Sequence, residues 1–252
     1  MISVQNFLLP SFLVLCVVGS GQSKKQIPGY IQICKHDPNT ISECVQKSIE
    51  ALKPKLAEGI PELDVPPLEP FIIPEVVASS KDRVPLQATG KNIKVTGAGD
   101  FHINKLNVDL DSLILKAKVN FPKLHFDGLY KLDTQILVVP IKGEGNLLAD
   151  VVNCDAELVF KGGKYQKDGL EFIKFNSLDT KIGIKDYNVK FDGLFNNDKV
   201  LGDAANDAIN QNKGEFFNTF KPFLEAAVSK LLLNISNKVV DDLPFNELLP
   251  KP

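Results

Sequence analysis

The C-terminal part of the chain carries the longest helical pattern of apolar residues. From about Leu201 to Val240, apolar side chains recur at spacings of three and four residues, which is the period of an α-helix. In the second half of this stretch they cover most of the helix surface, so the helix must be buried on most sides. The pattern predicts one long helix enclosed by the rest of the protein. Pro222 predicts a kink, because proline removes one backbone hydrogen bond.

Two other structures for a long apolar helix do not fit this sequence. A coiled coil needs a strict seven-residue repeat of apolar positions, which the apolar residues here do not keep. A transmembrane span needs about 18 consecutive apolar residues, and Lys221, Glu225 and Lys230 interrupt the run. A helix wrapped by other parts of the same chain remains.

Between about Val76 and Phe195 the pattern changes to a period of two, which is typical of β-strands. Leu106, Val108 and Leu110 alternate with polar residues, for example, and glycines separate successive runs. This predicts antiparallel strands joined by hairpins, with one apolar and one polar face. The sheet can bury its apolar face by curling around the long helix, so we expect an α+β protein with a strongly curved antiparallel sheet.

The part of the chain before the strands has two further features. Asp37-Pro38 is a typical helix start, and apolar residues follow at helical spacing up to Leu56, which predicts a short N-terminal helix. Residues 59–74 contain five prolines and therefore form neither a helix nor a central strand. Because they are too apolar for a flexible linker, we expect an extended connector that packs on the protein.

The first 21 residues carry no charged side chain and contain an apolar run from Phe12 to Val18, followed by small residues. This is typical of a secretory signal peptide that is cleaved near Ser20 or Gly21. An N-terminal membrane anchor is the alternative, but the run is too short to span a bilayer. We therefore expect a signal peptide at residues 1–21 and a single secreted, extracellular domain at residues 22–252.

Removal of this peptide leaves three cysteines in the mature chain. Cys34 and Cys44 are ten residues apart, and the oxidising compartment of a secreted protein would let them form a disulfide. Cys154 lies in a strand pattern and is expected to be a buried free thiol, with an intermolecular disulfide as the alternative. Asn234 begins the single Asn-X-Ser/Thr sequence, on the polar side of the long helix, and is a candidate glycosylation site.

Charge and motifs argue against several classes of function. The formal net charge is −2 and no strongly basic block is present, so nucleic acid and anionic membranes are not expected partners. The three histidines lack metal-ligand spacing, and nucleophile-elbow, Walker and dinucleotide-binding motifs are absent. We expect no metal, no cofactor and no catalytic residue. An enzyme that acts on lipid esters is the alternative, and it would show His-dependent turnover.

Three local patterns resemble the takeout / juvenile hormone-binding protein family of insects, over nearly the whole mature chain. The first is the cysteine pair with the helix that follows it, and the second is the proline-rich segment from Gly59 to Pro70. The third and most specific is a C-terminal signature, which departs at Leu249, where takeout proteins usually carry phenylalanine. Its matching positions are Leu194 to Lys199, Leu201 to Asp203, Asn206, Asn210, Phe217, Pro222 and Pro244 to Pro250.

The resemblance implies a long helix wrapped in a curved antiparallel sheet, a super-roll similar to tubular lipid-binding domains. It also implies an internal apolar tunnel for a lipophilic ligand, secretion into haemolymph or a similar fluid, and a role in feeding, circadian, olfactory or hormonal physiology. Hormone-binding members carry a second disulfide. Because Cys154 has no partner once Cys34 and Cys44 are paired, the resemblance favours the takeout branch.

These observations predict a carrier of a terpenoid such as juvenile hormone, or of a fatty-acid-like ligand. We expect a monomer without bound nucleic acid and without stable membrane insertion, and a receptor partner stays open. The alternative is a secreted protein- or membrane-interaction module whose core is filled by side chains. The inward faces of helix and sheet would line the tunnel, with the Tyr130 phenol as a donor to the ligand. The expected lining residues are Leu115, Val119, Phe126, Tyr130, Ile136, Phe217, Phe220, Leu224 and Val228.

Overall fold

The computed structural model describes residues 25–80, 86–136 and 139–252, except for the side chains of Ile136 and Val139. The expected signal peptide at residues 1–21 lies outside the described residues, so this peptide and the domain boundary after it stay predictions. Within the described ranges, no helix is long and apolar enough to cross a membrane.

The centre of the fold is one antiparallel sheet, in which the described residues form six strands. The hydrogen-bonded order is β1-β2-β4-β5-β6, and β3 also pairs with β4. The strand bounds are Phe71–Ser80 (β1), Leu86–Thr96 (β2), His102–Asp109 (β3), Ile114–Ile136 (β4), Val139–Lys167 (β5) and Leu170–Phe191 (β6). The predicted curved antiparallel sheet is confirmed, and it forms a half-barrel.

Three strands are unusually long, and their length divides the sheet into two halves. β4, β5 and β6 have 23, 29 and 22 residues. β3 pairs with the first half of β4, residues 114–120, whereas β2 pairs with the second half, residues 125–134. At roughly 3.3 Å per residue, β4 spans about 75 Å. Residues near its two ends therefore cannot contact the same small molecule.

The C-terminal helical region is broken, so the expectation of one continuous helix from Leu201 to Val240 is wrong. The chain leaves helical geometry at Asn212, where φ is −111° and ψ is 40°. The backbone N–H and the side-chain amide of Asn212 both donate to the Ala208 carbonyl and so close the preceding helix. The helices of the described residues are α1 (Ile41–Glu58), α2 (Lys199–Gln211), α3 (Lys213–Val240) and α4 (Phe245–Leu248).

The second of these C-terminal pieces, α3, is still a long helix of 28 residues. Together with the curved sheet it confirms the predicted α+β architecture. Pro222 lies inside α3, and the kink expected there stays a prediction.

Side chains of α2 and α3 cover the free edge of β6, the last strand of the sheet. Asn206 and Asn210 of α2 each accept from a backbone N–H of β6 and donate to the carbonyl of the same residue, at 2.7–2.9 Å. Asn237 of α3 makes the same two bonds with Phe175. Glu225 accepts from a further N–H of β6. These groups satisfy an edge that could otherwise pair with another chain.

Helix α1 begins at Ile41, later than the predicted start at Asp37-Pro38. The Asp37 carboxylate accepts from the backbone N–H of Asn39 and from the hydroxyl of Thr40. It therefore closes a turn ahead of the helix instead of capping the helix itself. α1 packs on the half of the sheet that contains β3.

The predicted disulfide between Cys34 and Cys44 is present. It ties the segment before α1 to the first turn of that helix. Cys34 is buried there with Ile41 and with Leu110, which follows β3. The disulfide therefore belongs to the same half of the molecule as β3.

Residues 59–74 form the expected connector only in part. Pro61–Leu63 is a single turn of 3₁₀ helix, and β1 begins already at Phe71. Because β1 is an edge strand of the sheet, Pro74 can lie in it without removing a hydrogen bond between strands. The exclusion of a central strand was correct, but an edge strand starts inside this segment.

Cys154 and Asn234 lie in contrasting environments. Cys154 of β5 is 8% exposed, packs near Leu124 and Val151, and forms no disulfide within the described residues. Burial raises the pKa of its thiol to about 11. The predicted burial of this thiol is thus confirmed, and its free state, as opposed to an intermolecular disulfide, stays a prediction. Asn234 is exposed on α3, and its glycosylation stays a prediction.

Candidate ligand-binding cavity

A cavity of about 250 Å³ lies between the N-terminal half of α3 and the inner face of the sheet. β1, β2, β4, β5 and β6 all contribute to its walls. None of its described lining residues belongs to β3 or α1. The cavity therefore occupies the half of the molecule in which β2 pairs with β4.

Aromatic side chains form the helix side of this cavity. Phe216, Phe217, Phe220 and Phe223 lie at helical spacing on the first turns of α3. The ring of Phe216 packs on that of Phe220 at a centroid distance of 4.7 Å, and on that of Phe191 at 5.9 Å. Because these rings contact one another and the sheet, the aromatic wall is formed without a ligand.

Small side chains on the sheet leave the space that the rings do not fill. Ala78 of β1, Ala88 and Gly90 of β2 and Ala149 of β5 border the cavity. A Cβ atom added at Gly90 would lie 2.7 Å from the Ile93 side chain, so a larger residue would displace its neighbour. Large residues on the helix opposite small ones on the sheet thus produce an open space.

Among the described lining residues, two tyrosines supply the polar side-chain atoms that face into the cavity. The hydroxyl of Tyr130 donates to the carbonyl of Asp192, and the hydroxyl of Tyr187 donates to the carbonyl of Lys213, both at 2.7 Å. Burial raises the pKa of each phenol to about 12, so both are neutral near neutral pH. The Asp192 carbonyl thus already accepts the proton that Tyr130 was expected to offer to a ligand, and contact of Tyr130 with a ligand stays a prediction.

Five of the predicted lining residues border the cavity, and their contact with a ligand stays a prediction. They are Phe126, Tyr130, Phe217, Phe220 and Leu224.

The other four predicted lining residues lie elsewhere along β4 and α3. Leu115 and Val119 lie in the first half of β4 and do not border the cavity. Val119 instead packs against the cluster of Phe101, Ile103 and Leu106. Val228 follows Leu224 by one helical turn and lies beyond the lining. The side chain of Ile136 lies outside the described residues.

Sequence analysis missed several residues that line the cavity. Tyr187 belongs to an alternating series with Val189 and Phe191, so its inward direction was visible in the sequence. Ile73 and Val76 of β1 also line the cavity. Ile73 was missed because the start of β1 was assigned to the connector.

A second recess, of about 320 Å³, lies on the sheet between β3, β4 and β5. Exposed charged side chains, Lys105, Lys116, Lys118 and Glu157, make up half of its lining residues. It does not suit an apolar ligand. No group of three or more His, Cys, Asp or Glu residues that could hold a metal ion occurs in the described part of the chain.

Comparisons with known proteins extend over most of the sequence. The sequence model of a family described as haemolymph juvenile hormone binding protein (JHBP) matches residues 11–250. A putative beta-carotene-binding protein of Schistocerca gregaria is 22% identical over 210 residues, which cover 82% of each chain. The circadian clock-controlled protein daywake of Drosophila melanogaster is 22% identical over 234 residues, 89% of this chain and 88% of daywake.

The crystal structure of Takeout 1 from Epiphyas postvittana is similar in three dimensions. The TM-score is 0.71, and the aligned region covers 83% of this chain and 96% of Takeout 1. Since the two sequences are only 23% identical, this likeness establishes the fold alone.

Proposed function

Because the chain belongs to the haemolymph juvenile hormone binding protein family, whose members are binding proteins and not enzymes, we propose that it is a secreted carrier of a lipophilic small molecule. The ligand occupies the cavity between α3 and the sheet. Terpenoids and molecules with long alkyl or acyl chains are the ligand classes that suit it. The names of the family and of the locust relative, which refer to juvenile hormone and beta-carotene, support a lipophilic ligand.

The apolar cavity of about 250 Å³ is the observation that carries this proposal. Transfer of apolar surface from water contributes about 25 cal/mol per Å², so a ligand that buries roughly 200 Å² gains about 5 kcal/mol. Small-molecule sites are typically concave, mostly apolar and formed before binding. The contacts among the α3 rings and Phe191 support such a preformed site.

An interaction module whose core is filled by side chains is the alternative function. The open cavity favours the carrier over this module. Secretion is supported by the family description, which refers to haemolymph, and by the uncharged apolar sequence of residues 1–21. A monomer is supported by the outer edge of β6. Amide groups of α2 and α3 already form hydrogen bonds with this edge, which could otherwise pair with another chain. A receptor partner stays open.

Filling the cavity tests the carrier function. Ala149→Phe places a ring among the lining residues and should lower the affinity for the apolar fluorophore N-phenyl-1-naphthylamine at least about tenfold. Leu148→Phe is the matched control, because Leu148 is 37% exposed and lies between two cavity-lining residues of the same strand, so it points outward. This control should bind like the wild type.

Thermal unfolding of both variants checks that each is folded. A folded Ala149→Phe variant that binds the fluorophore as tightly as the wild type would contradict the proposal.

A further inference from the structure

The described residues of the cavity lining offer a ligand hydrogen-bond acceptors but no donor. Tyr130 and Tyr187 each use their hydroxyl proton in a bond of 2.7 Å to a backbone carbonyl. A phenol oxygen that donates its proton can still accept a hydrogen bond, because it keeps its lone pairs. Every other described lining residue that faces inward is either glycine or has a hydrocarbon side chain.

Two other polar residues border the cavity without facing it. Thr89 of β2 and Lys131 of β4 each lie between two neighbours that also border the cavity. Because side chains alternate along a strand, those of Thr89 and Lys131 point to the outer face of the sheet. The ammonium group of Lys131 pairs there with Glu144 at 2.9 Å.

Two lysines of α3 lie beside lining aromatic rings, and both are paired with carboxylates. Lys213 Nζ is 5.8 Å from the centroid of Tyr187, and it lies 2.7 Å from Asp186 Oδ1. Lys221 Nζ is 5.8 Å from the centroid of Phe217, and it lies 3.9 Å from Glu225 Oε1. An anionic ligand would have to compete with these carboxylates for either cation.

The two phenols differ in their burial and in the charge beside them. Tyr187 is partly exposed, and Nζ of Lys213 lies 5.8 Å from its ring centroid. Tyr130 is 6% exposed, so water competes less for its oxygen than for that of Tyr187. Within the described residues, no donor contacts the Tyr130 oxygen, which has only its bond to Asp192. Tyr130 is thus the position to which a ligand hydroxyl can donate.

We infer that the cavity selects its ligand by head group and takes an isoprenoid or long-chain alcohol in preference to the ester or acid of the same skeleton. This inference rests on the proposed carrier function and narrows its ligand class. An alcohol that enters the cavity donates its proton to the Tyr130 oxygen. An ester carbonyl loses its hydrogen bonds to water and finds no donor. A carboxylate loses more, because it is charged.

Isoprenoids with one common skeleton test this selectivity. Farnesene, farnesol, methyl farnesoate and farnesoic acid should each be titrated against the wild-type protein at neutral pH, with displacement of N-phenyl-1-naphthylamine as the readout. We expect farnesol to bind at least about tenfold more tightly than the ester and the acid, since a buried polar group without a partner is costly. An ester or acid that binds as tightly as farnesol would overturn the inference.

A pair of matched variants tests the role assigned to Tyr130. Tyr130→Phe should lower the affinity for farnesol, relative to farnesene, by about threefold to tenfold. Tyr187→Phe removes the same atom from the other phenol and should leave that ratio unchanged. Because the ratio compares the affinities of one variant for farnesol and for farnesene, any general effect of the substitution on folding cancels. An unchanged ratio in Tyr130→Phe would overturn the assignment.

Binding of farnesene, the hydrocarbon of the series, shows whether a negative result contradicts this inference alone or also the carrier function. If farnesene binds but farnesol has no advantage over the ester and the acid, the selectivity fails and the carrier function stands. If none of the four compounds displaces the fluorophore, the carrier function fails and the selectivity fails with it.

Discussion

Single amide side chains determine how the last strand of the sheet is completed. Asn210 accepts from the backbone N–H of Val189 and donates both to the carbonyl of Val189 and to that of Asn206. The resemblance to the family identified Asn206 and Asn210 but did not explain their role. In the structure, both residues replace the hydrogen bonds that a further strand beside β6 would make.

The variant Asn210→Asp tests this role at nearly constant side-chain size. It replaces the donating amide group by a carboxylate oxygen that faces two carbonyls, and should lower the free energy of unfolding by about 2–4 kcal/mol at neutral pH. Gln211→Glu makes the same chemical change at an exposed neighbour and should stay within about 0.5 kcal/mol of the wild type. Urea unfolding measures both values.

The pH dependence of the Asn210→Asp variant gives a second check. Its new carboxyl group faces carbonyls in the folded state, so its folded pKa should be raised above the unfolded value of about 3.9. The stability deficit should then be smallest below about pH 4, where the group is protonated and donates again, and should grow as pH rises through the folded pKa. A deficit that does not change with pH would contradict the contact.

The residues of the candidate site were only partly predictable from sequence. The phenylalanines of α3 follow from helical spacing, because a residue type and a period suffice to place them on the buried face. The role of Tyr130 does not follow, since its partner is the backbone of Asp192, 62 residues away. A sequence shows that a phenol is present, but not where its proton is donated.

At the scale of elements, the disulfide and α1 stabilise one half of the molecule. Replacing Cys34 and Cys44 together by alanine should lower the free energy of unfolding by about 2–3 kcal/mol, the value expected for a loop of this size. Ligand affinity should not change, because α1 contributes none of the described lining residues. Urea unfolding and fluorophore titration measure the two effects.

Reduction of the wild-type protein with dithiothreitol is the control for this double variant, because it opens the same bond and keeps both side chains. A double variant that folds normally but loses ligand binding would contradict the separation of the two halves.

Element type was easier to predict than element boundaries. Period-two and helical patterns identified the strands and the long C-terminal helix. The break at Asn212 was not predicted, because apolar residues keep a helical spacing on both sides of it. The start of β1 was not predicted because prolines dominate residues 59–74. Only the pairing with β2 shows that Phe71 already lies in an edge strand of the sheet.

At the scale of the whole molecule, the long strands give the half-barrel two different ends. α1 and the disulfide occupy the half with β3, and the cavity occupies the half with β2. The sequence could not assign the cavity to one half, because apolar and polar residues alternate in both halves of β4. Leu115 and Val119 were therefore predicted beside Phe126 and Tyr130, although the two pairs lie in different halves of the strand.

Native mass spectrometry of the protein secreted from insect cells, followed by denaturing extraction, tests the carrier function most directly. The account predicts one lipophilic passenger per chain, recovered by extraction, in the wild type and in Leu148→Phe but not in Ala149→Phe. It also predicts that a neutral alcohol or hydrocarbon dominates the extract. A wild-type protein that is empty and takes up neither farnesol nor farnesene when these are added would contradict it.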